Sequence, residues 1–337
     1  MLQTEIDQRK SLMLNYLTLS EAKLHLAKQA THVMCVVGYG AEQPAVADPS
    51  VLWVNMPVLG AESVYEVWTS NQPVRSFGDG AIAGKCNEDI FFGSIAIQLD
   101  PTQNFSDLVQ RTYSDIFAFQ QRNAYKNLLR VWNYFPEINA QQDGMERYRS
   151  FSSGRHEALI RNHINVEDTP AACALGSHGG ALVIYFLAGR LPGQQIENPR
   201  QMSAYHYPQQ YGPRSPAFSR ATLAFKQTAP TLFISGTASI IGHETVHLDS
   251  VRLQTLETVK NIHAVIDQAG RNGFQFIGFT TGAALKAYVR YDHDMELVRD
   301  IIYQELGVVF QLIVLQADIC REDLLVEIEA VCWGRIS

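Results

Sequence analysis

The sequence lacks the features that mark nucleic-acid-binding, membrane and secreted proteins. Its 27 lysines and arginines are outnumbered by 34 aspartates and glutamates, and a net charge of -7 is not the basic excess of a typical nucleic-acid binder. No apolar run reaches the roughly 18 residues that cross a membrane, and residues 1–10 lack the apolar core of a signal peptide. We therefore expect a cytoplasmic protein with no nucleic-acid or membrane partner.

Cysteine is also scarce. The five cysteines are odd in number and widely spaced: Cys35, Cys86, Cys173, Cys320 and Cys332. This spacing matches neither a disulfide framework nor a zinc site, so reduced thiols are predicted. The rest of the composition, 46% hydrophobic and 18% charged over 337 residues, is that of a globular chain with room for about two domains.

A zinc-protease motif, H-E-x-x-H, occurs between His243 and His247. It binds zinc when both histidines share one face of a helix, but the preceding residues 231–240 are β-branched and interrupted by glycine, which predicts a strand and a loop. The extended motif would place a third histidine where Leu253 stands. We predict no metal site, and we expect residues 247–250 to cap the next helix.

Hydrophobic periodicity predicts alternating strands and helices in the back half of the chain. The predicted strands cover 181–188, 231–240, 283–291, 308–319 and 324–331, and the predicted helices cover 253–270 and 293–307. The front half carries a fainter copy, with strands at 93–97 and 128–134 and a helix at 104–124. We interpret the chain as an α+β protein of two related units, each a mixed sheet with helices packed on one face. The predicted domains are 1–160 and 161–337, the second carrying the active site.

The back half resembles the YjgF-like (RidA) fold, which is also chorismate-mutase-like. The resemblance lies in the strand Leu-Phe-Ile-Ser-Gly at 232–236, the helix at 254–270 and the closing strand at 325–330. More specific stretches resemble the chorismatase family from about residue 90 to the C-terminus. They are Val-Trp-Asn-Tyr at 131–134, Glu-Arg-Tyr at 146–148, and the segments 197–216, 235–245 and 317–327. The resemblance implies an enzyme that acts on chorismate without a cofactor.

The resemblance implies that Glu327 is the catalytic residue. Strand alternation turns Val326 and Ile328 to one side and Glu327 and Glu329 to the other. The resemblance implies that Glu327 is a general acid that protonates the methylene carbon of the enolpyruvyl ether, so that pyruvate is expelled. A dry environment would raise its pKa and keep it protonated. Glu329 is expected to face solvent.

Cys320, seven residues before Glu327, bears on the product. A lone cysteine before a strand is usually a small buried hydrophobic residue. In the family that the chain resembles, cysteine at this position implies formation of 3-hydroxybenzoate by attack of the ring hydroxyl and rearrangement, whereas enzymes without it hydrolyse the ether. We therefore expect the Cys320 thiol to help proton transfer during the rearrangement.

The substrate would be a dianion, so its site needs cations and a wall for the ring. Arginine pairs with a carboxylate through two parallel hydrogen bonds, and Arg214 is the first candidate and Arg155 the second. The tyrosines expected to contact the ring or a carboxylate are Tyr148, Tyr205 and Tyr211. The small residues expected to let the backbone approach the substrate are Gly236, Thr237, Ala238 and Ser239.

The expected reaction converts chorismate into 3-hydroxybenzoate and pyruvate. Alternatives within the family are a mixed 3- and 4-hydroxybenzoate synthase and a hydrolase that gives a dihydroxycyclohexadiene carboxylate. An alternative from another class is a non-catalytic protein that binds a small anion. Both a monomer and a homo-oligomer are compatible with the sequence.

Overall fold

The computed structural model describes residues 11–41, 51–276 and 282–336 and contains three large mixed β-sheets. The first sheet is formed by the start of the chain. Its elements are β1 (Leu12–Leu17), α1 (Leu19–Gln29), β2 (Val33–Gly40), β3 (Val51–Asn55) and β4 (Ser63–Ser70). The strand order is β1-β4-β2-β3, with β2 and β3 parallel. Helix α1 begins at a capping box in which Thr18 and Glu21 exchange hydrogen bonds.

The second sheet follows directly. Its elements are β5 (Arg75–Asp79), β6 (Ile82–Cys86), β7 (Ile90–Ile97), α2 (Phe105–Arg122), β8 (Asn127–Pro136), the hairpin β9 (Gln141–Gln142) and β10 (Met145–Glu146), α3 (Arg147–Arg161), β11 (Ala171–Ser177) and β12 (Leu182–Gly189). The strand order is β5-β6-β7-β12-β8-β11, with β8 and β11 parallel. Asn104 caps α2, whose apolar residues recur at helical spacing and pack in one core cluster with α3 and this sheet.

The third sheet carries the back half of the chain. Its elements are β13 (Gln194–Ile196), β14 (Ala221–Ala224), β15 (Thr231–Ala238), α4 (Val251–Gly270), β19 (Ala283–Val289), α5 (Met295–Leu306), β20 (Gln311–Gln316) and β22 (Val326–Trp333). Two-residue strands complete the set: β16 (Ile240–Ile241) with β17 (Glu244–Thr245), β18 (Phe274–Gln275) with β23 (Arg335–Ile336), and β21 (Asp318–Ile319), which joins the second sheet beside β11. No helix among the described residues is long and apolar enough to span a membrane.

The second and third sheets have the same topology. Each contains, in chain order, three antiparallel strands, a helix, a fourth strand, a second helix and two further strands. The sixth strand lies in the sheet between the third strand and the fourth strand. The third sheet thus runs β13-β14-β15-β22-β19-β20, with β19 and β20 parallel. The predicted α+β class and the two predicted related units are confirmed.

Two features of the domain prediction differ from the structure. The first sheet, β1-β4-β2-β3, repeats the last four strands of the common topology, so a third and shorter copy precedes the other two. Strands β11 and β12 pair with β8 and β7 in the second sheet, so a boundary near residue 160 would cut that sheet. The sheets instead divide between Gly189 and Gln194.

The three sheets contribute to one shared core. Tyr39, Tyr134 and Tyr288 come from β2, β8 and β19, which are the corresponding strands of the three copies. The Tyr134 hydroxyl lies 2.8 Å from that of Tyr288 and 3.4 Å from that of Tyr39. The residues paired with these tyrosines on the adjacent strand are Val64, Val183 and Glu327, respectively. These three residues therefore occupy equivalent positions in the three copies.

Candidate active site

A cavity of about 590 Å³ lies between the second and third sheets. Helix α3 and strand β11 of the second sheet form one wall, and β15 and β22 of the third sheet form the other. The loop that carries Tyr207 and Tyr211 and the turn at residues 320–324 complete the lining. A volume of this size suits a small organic ligand.

Glu327 lines this cavity from β22, which lies between β15 and β19. Its side chain is buried, with 4% of the residue exposed, and no described residue forms a hydrogen bond with its carboxyl group. Burial, followed by the adjacent Glu329 carboxylate, raises the pKa of Glu327 from 4.5 to about 8, against the opposing effect of Arg130. The carboxyl group is therefore mostly protonated at neutral pH and can donate a proton into the cavity.

Gly236 provides the room for this carboxyl group. The pairing of β15 with β22 shifts register between Ile234 and Thr237, and this bulge contains Gly236. A Cβ atom added to Gly236 would lie 1.8 Å from Oε1 of Glu327, far inside van der Waals contact. Any side chain at this position would displace the acid.

Cys320 also lines the cavity, directly after β21. Burial and then the nearby Glu327 raise the pKa of this thiol to about 12. The pKa of Tyr148, which lines the same cavity, is raised by burial first and then by Cys320 and Glu327. Both groups hold their protons at neutral pH, so they can donate hydrogen bonds to a bound anion.

Two buried arginines line the cavity with nitrogen atoms to spare. Arg155 on α3 is 4% exposed, lies 4.9 Å over the ring of Tyr113 and pairs with no carboxylate among the described residues. Arg220 is 5% exposed, and its Nη2 donates to the Tyr207 hydroxyl at 2.8 Å. The Nε atoms of both arginines are buried and have no hydrogen-bond partner within the described chain. Buried N–H groups are normally paired, so both guanidinium groups are candidates for binding an anion, although Arg220 also interacts electrostatically with the carboxyl group of Glu197.

The H-E-x-x-H stretch begins in the hairpin β16–β17 and is not part of a helix, as predicted. This stretch also contacts Arg321, a further arginine that lines the cavity. His243 offers its backbone oxygen to Nη1 of Arg321 at 3.0 Å, and the Arg321 guanidinium lies 3.9 Å from the ring centroid of Tyr211. The His247 ring faces Glu257 instead, at 3.7 Å. In the described ranges, no three histidine, cysteine or acidic side chains are grouped so as to hold a metal ion.

Comparisons with known proteins agree with this geometry. Residues 66–188 match the model of the N-terminal region of FkbO/Hyg5-like chorismatases. A 3-hydroxybenzoate synthase of Streptomyces hygroscopicus is 36% identical over 289 residues, which are 83% of this chain and 84% of the relative. The chain belongs to the chorismatase family.

Further members of the family support the same conclusion. A chorismatase of Streptomyces rapamycinicus is 38% identical over 278 residues, 80% of this chain and 82% of the relative. A chorismatase crystal structure superposes with a TM-score of 0.84 at 31% identity, and the match covers 95% of this chain and 98% of that chain. It therefore spans all three sheets of this chorismatase.

Four of the predicted site residues lie outside the cavity lining. Arg214 is exposed and follows the short helix Gln209–Tyr211, which ends at Gly212 with φ 136°. Tyr205 packs edge-on against His206. The hydroxyls of Thr237 and Ser239 donate to backbone oxygens, those of Ser235 and Val246. The predicted residues that do line the cavity are Tyr148, Arg155, Tyr211, Gly236, Ala238, Cys320 and Glu327.

The prediction that Glu329 faces solvent is wrong. Its carboxylate is buried, accepts a 2.5 Å hydrogen bond from Nη2 of Arg130 and lies 2.8 Å from Nζ of Lys286. The sequence contained a signal for this arrangement, because Arg130 and Lys286 interrupt otherwise apolar strands. A charged residue inside such a run is buried only when it is paired.

Proposed function

We propose that this chorismatase converts chorismate into 3-hydroxybenzoate and pyruvate, with Glu327 as the general acid. The observation that carries the proposal is a buried carboxyl group with a pKa of about 8 that faces a cavity lined by two arginines with unpaired nitrogens. Chorismate is a dianion with an enol ether, so it needs both cationic partners and a proton donor. The cavity supplies the two together.

The reaction would begin when Glu327 transfers its proton to the methylene carbon of the enolpyruvyl group. The resulting oxocarbenium ion is attacked by the neighbouring ring hydroxyl, and rearrangement then releases pyruvate and an aromatic acid. One proton is lost from the intermediate in this step and reprotonates the Glu327 carboxylate. Substrate and products have the same atoms overall, so this route consumes no water. Hydrolysis of the same ion would consume one water molecule and would leave a dihydroxycyclohexadiene carboxylate.

Arg155 and Arg220 are our candidates for the cations that bind the two substrate carboxylates. Their guanidinium groups come from different walls of the cavity, α3 and the residue before β14. Each could form charge-assisted hydrogen bonds worth about 1.5–3 kcal/mol with a carboxylate. Tyr211, whose ring already lies against Arg321, would form part of the wall for the substrate ring.

Cys320 favours the aromatic product in this proposal. Because its pKa of about 12 keeps the thiol protonated, it would act by donating a hydrogen bond or a proton to an oxygen of the rearranging intermediate, and not as a thiolate base. The relative that is named a 3-hydroxybenzoate synthase is consistent with this choice of product.

The test is to incubate the purified protein with chorismate and EDTA. Pyruvate is followed with lactate dehydrogenase, and the ring product is identified by chromatography. We expect pyruvate and 3-hydroxybenzoate in equal amounts from the wild type and neither from Glu327→Gln, which keeps the shape of the side chain but has no acid proton. Absence of turnover by the wild type would refute the proposal, and the diene acid as sole product would identify a hydrolase.

A further inference from the structure

A cluster of four buried charges lies where the three sheets meet. Lys286 Nζ lies 2.8 Å from Oε2 of Glu66 and 2.8 Å from Oε1 of Glu329, and Arg130 binds the other oxygen of Glu329. At most 4% of each of these residues is exposed. The first sheet supplies Glu66, the second supplies Arg130, and the third supplies Lys286 and Glu329. The cluster contains two positive and two negative side chains and is therefore neutral.

The cluster fixes Glu329 as an anion. Burial alone would raise the pKa of Glu329, but Lys286 and Arg130 outweigh it and the pKa lies below its ordinary value. The Trp132 indole donates a further hydrogen bond at 2.9 Å, and the Cys173 thiol donates another. Burial would likewise lower the pKa of Lys286, but the carboxylates of Glu329 and Glu66 raise it well above its ordinary value.

Glu327 is two residues away on the same strand, and its side chain lies on the same side of the sheet. Two residues of a strand span about 7 Å, so a fixed negative charge at Glu329 opposes ionisation of Glu327 through a dry protein interior. We propose that Glu329 is a positioning residue that keeps the catalytic proton on Glu327, and that the four-charge cluster exists to hold Glu329 ionised beside the acid. This inference rests on the proposed role of Glu327.

Other ionisable groups face this pair from every neighbouring element. Those around Glu329 are Arg130 and Tyr134 on β8, Cys173 on β11, Lys286 and Tyr288 on β19, Glu66 on β4, Tyr39 on β2 and Tyr16 on β1. Those around Glu327 are Glu329, Arg130, Cys173, Cys320 and Tyr148. Burial raises the pKa of each of these tyrosines and of both thiols, so they stay neutral near pH 7. Glu146, Glu322 and Asp323 also line the cavity, but Glu329 is the carboxylate whose charge, after burial, raises the pKa of Glu327.

Two matched double variants test the inference. Glu329→Gln/Lys286→Gln and Glu66→Gln/Lys286→Gln each remove one carboxylate and the same lysine, so both clusters remain neutral. The first variant keeps the carboxylate of Glu66, and the second keeps that of Glu329, the neighbour of Glu327. Two quantities are measured in each: the basic limb of the pH profile of kcat/KM, and the titration of the Glu327 carboxyl carbon by ¹³C NMR without substrate, identified by its loss in Glu327→Gln.

We expect both midpoints to fall by about one pH unit or more in the variant that lacks Glu329, and to stay at the wild-type value in the variant that lacks Glu66. Equal midpoints in the two variants, or a rise on loss of Glu329, would overturn the inference. If the first variant does not fold, Glu329→Gln/Arg130→Gln keeps the Lys286–Glu66 ion pair and predicts a smaller fall in the same direction. The NMR titration needs no turnover, so failure of the proposed reaction would be seen separately.

Discussion

Replacement of Glu327 by glutamine has a consequence for folding that is independent of catalysis. The folded protein holds this carboxyl group with a pKa of about 8, against an ordinary value of 4.5. Between these two values the folded state keeps a proton that the unfolded chain releases. Stability therefore falls as the pH rises through this window, and the fall ends only above about pH 8. A glutamine cannot ionise, so the variant lacks this fall.

The size of the effect follows from the pKa difference. Each unit corresponds to about 1.4 kcal/mol, so the full shift is worth at most about 5 kcal/mol, and the part gained between pH 6 and pH 9 is about 2–3 kcal/mol. We expect Glu327→Gln to gain this much stability relative to the wild type when the pH is raised from 6 to 9. The measurement is urea unfolding at both pH values, followed by fluorescence of the buried Trp68 and Trp132.

Glu305→Gln is the control for this experiment. Glu305 is exposed on α5, so removal of its charge should leave the difference from the wild type nearly the same at both pH values. If the stability difference between Glu327→Gln and the wild type does not change with pH, then Glu327 is not a buried neutral acid. The argument for its catalytic role would fail with it.

Three further predictions concern the cavity. Arg155→Gln should lower kcat/KM by about 10- to 100-fold through lost charge-assisted hydrogen bonds, whereas the exposed Arg214→Gln should leave steady-state kinetics unchanged; equal effects would contradict the geometry. Gly236→Ala should abolish turnover and lower the unfolding free energy by about 1–3 kcal/mol, because the new methyl group overlaps the Glu327 carboxyl; normal activity would show that the strand can relax. Cys320→Ala should shift the product from 3-hydroxybenzoate to the diene acid, and an unchanged product ratio by chromatography would exclude a role for the thiol.

The parts of the fold that were predictable are those in which local patterns coincide with packing. Helix α4 was expected at 253–270 and covers Val251–Gly270, since Ser250 supplies the cap and an apolar stripe faces the sheet. The first sheet is not predictable as a separate copy because it retains only four strands of the topology. Its relation to the other sheets is visible in strand order and register and not in local composition.

The site was predictable where a residue's role depends on its own strand, and not where it depends on a distant part of the chain. Alternation placed Glu327 and Glu329 on one side of β22, but it could not show that another sheet covers that side. The sequence alone favours Arg214 over Arg220, because aromatic neighbours in sequence do not distinguish a buried loop residue from an exposed one. The distinction depends on how the loop from Gly212 to Arg220 folds back onto the cavity.

The three copies of the topology in one chain allow an arrangement that identical subunits could not form. In a ring of three identical chains, each charge at the centre is present three times, so an acid placed there must face two copies of itself. Here the positions equivalent to Lys286 are occupied by Val37 and Trp132, and those equivalent to Glu329 by Glu66 and Tyr185. Linking the copies in one polypeptide thus permits a centre whose charges balance although the three copies differ. The catalytic position holds Glu327 in one copy and the valines Val64 and Val183 in the other two.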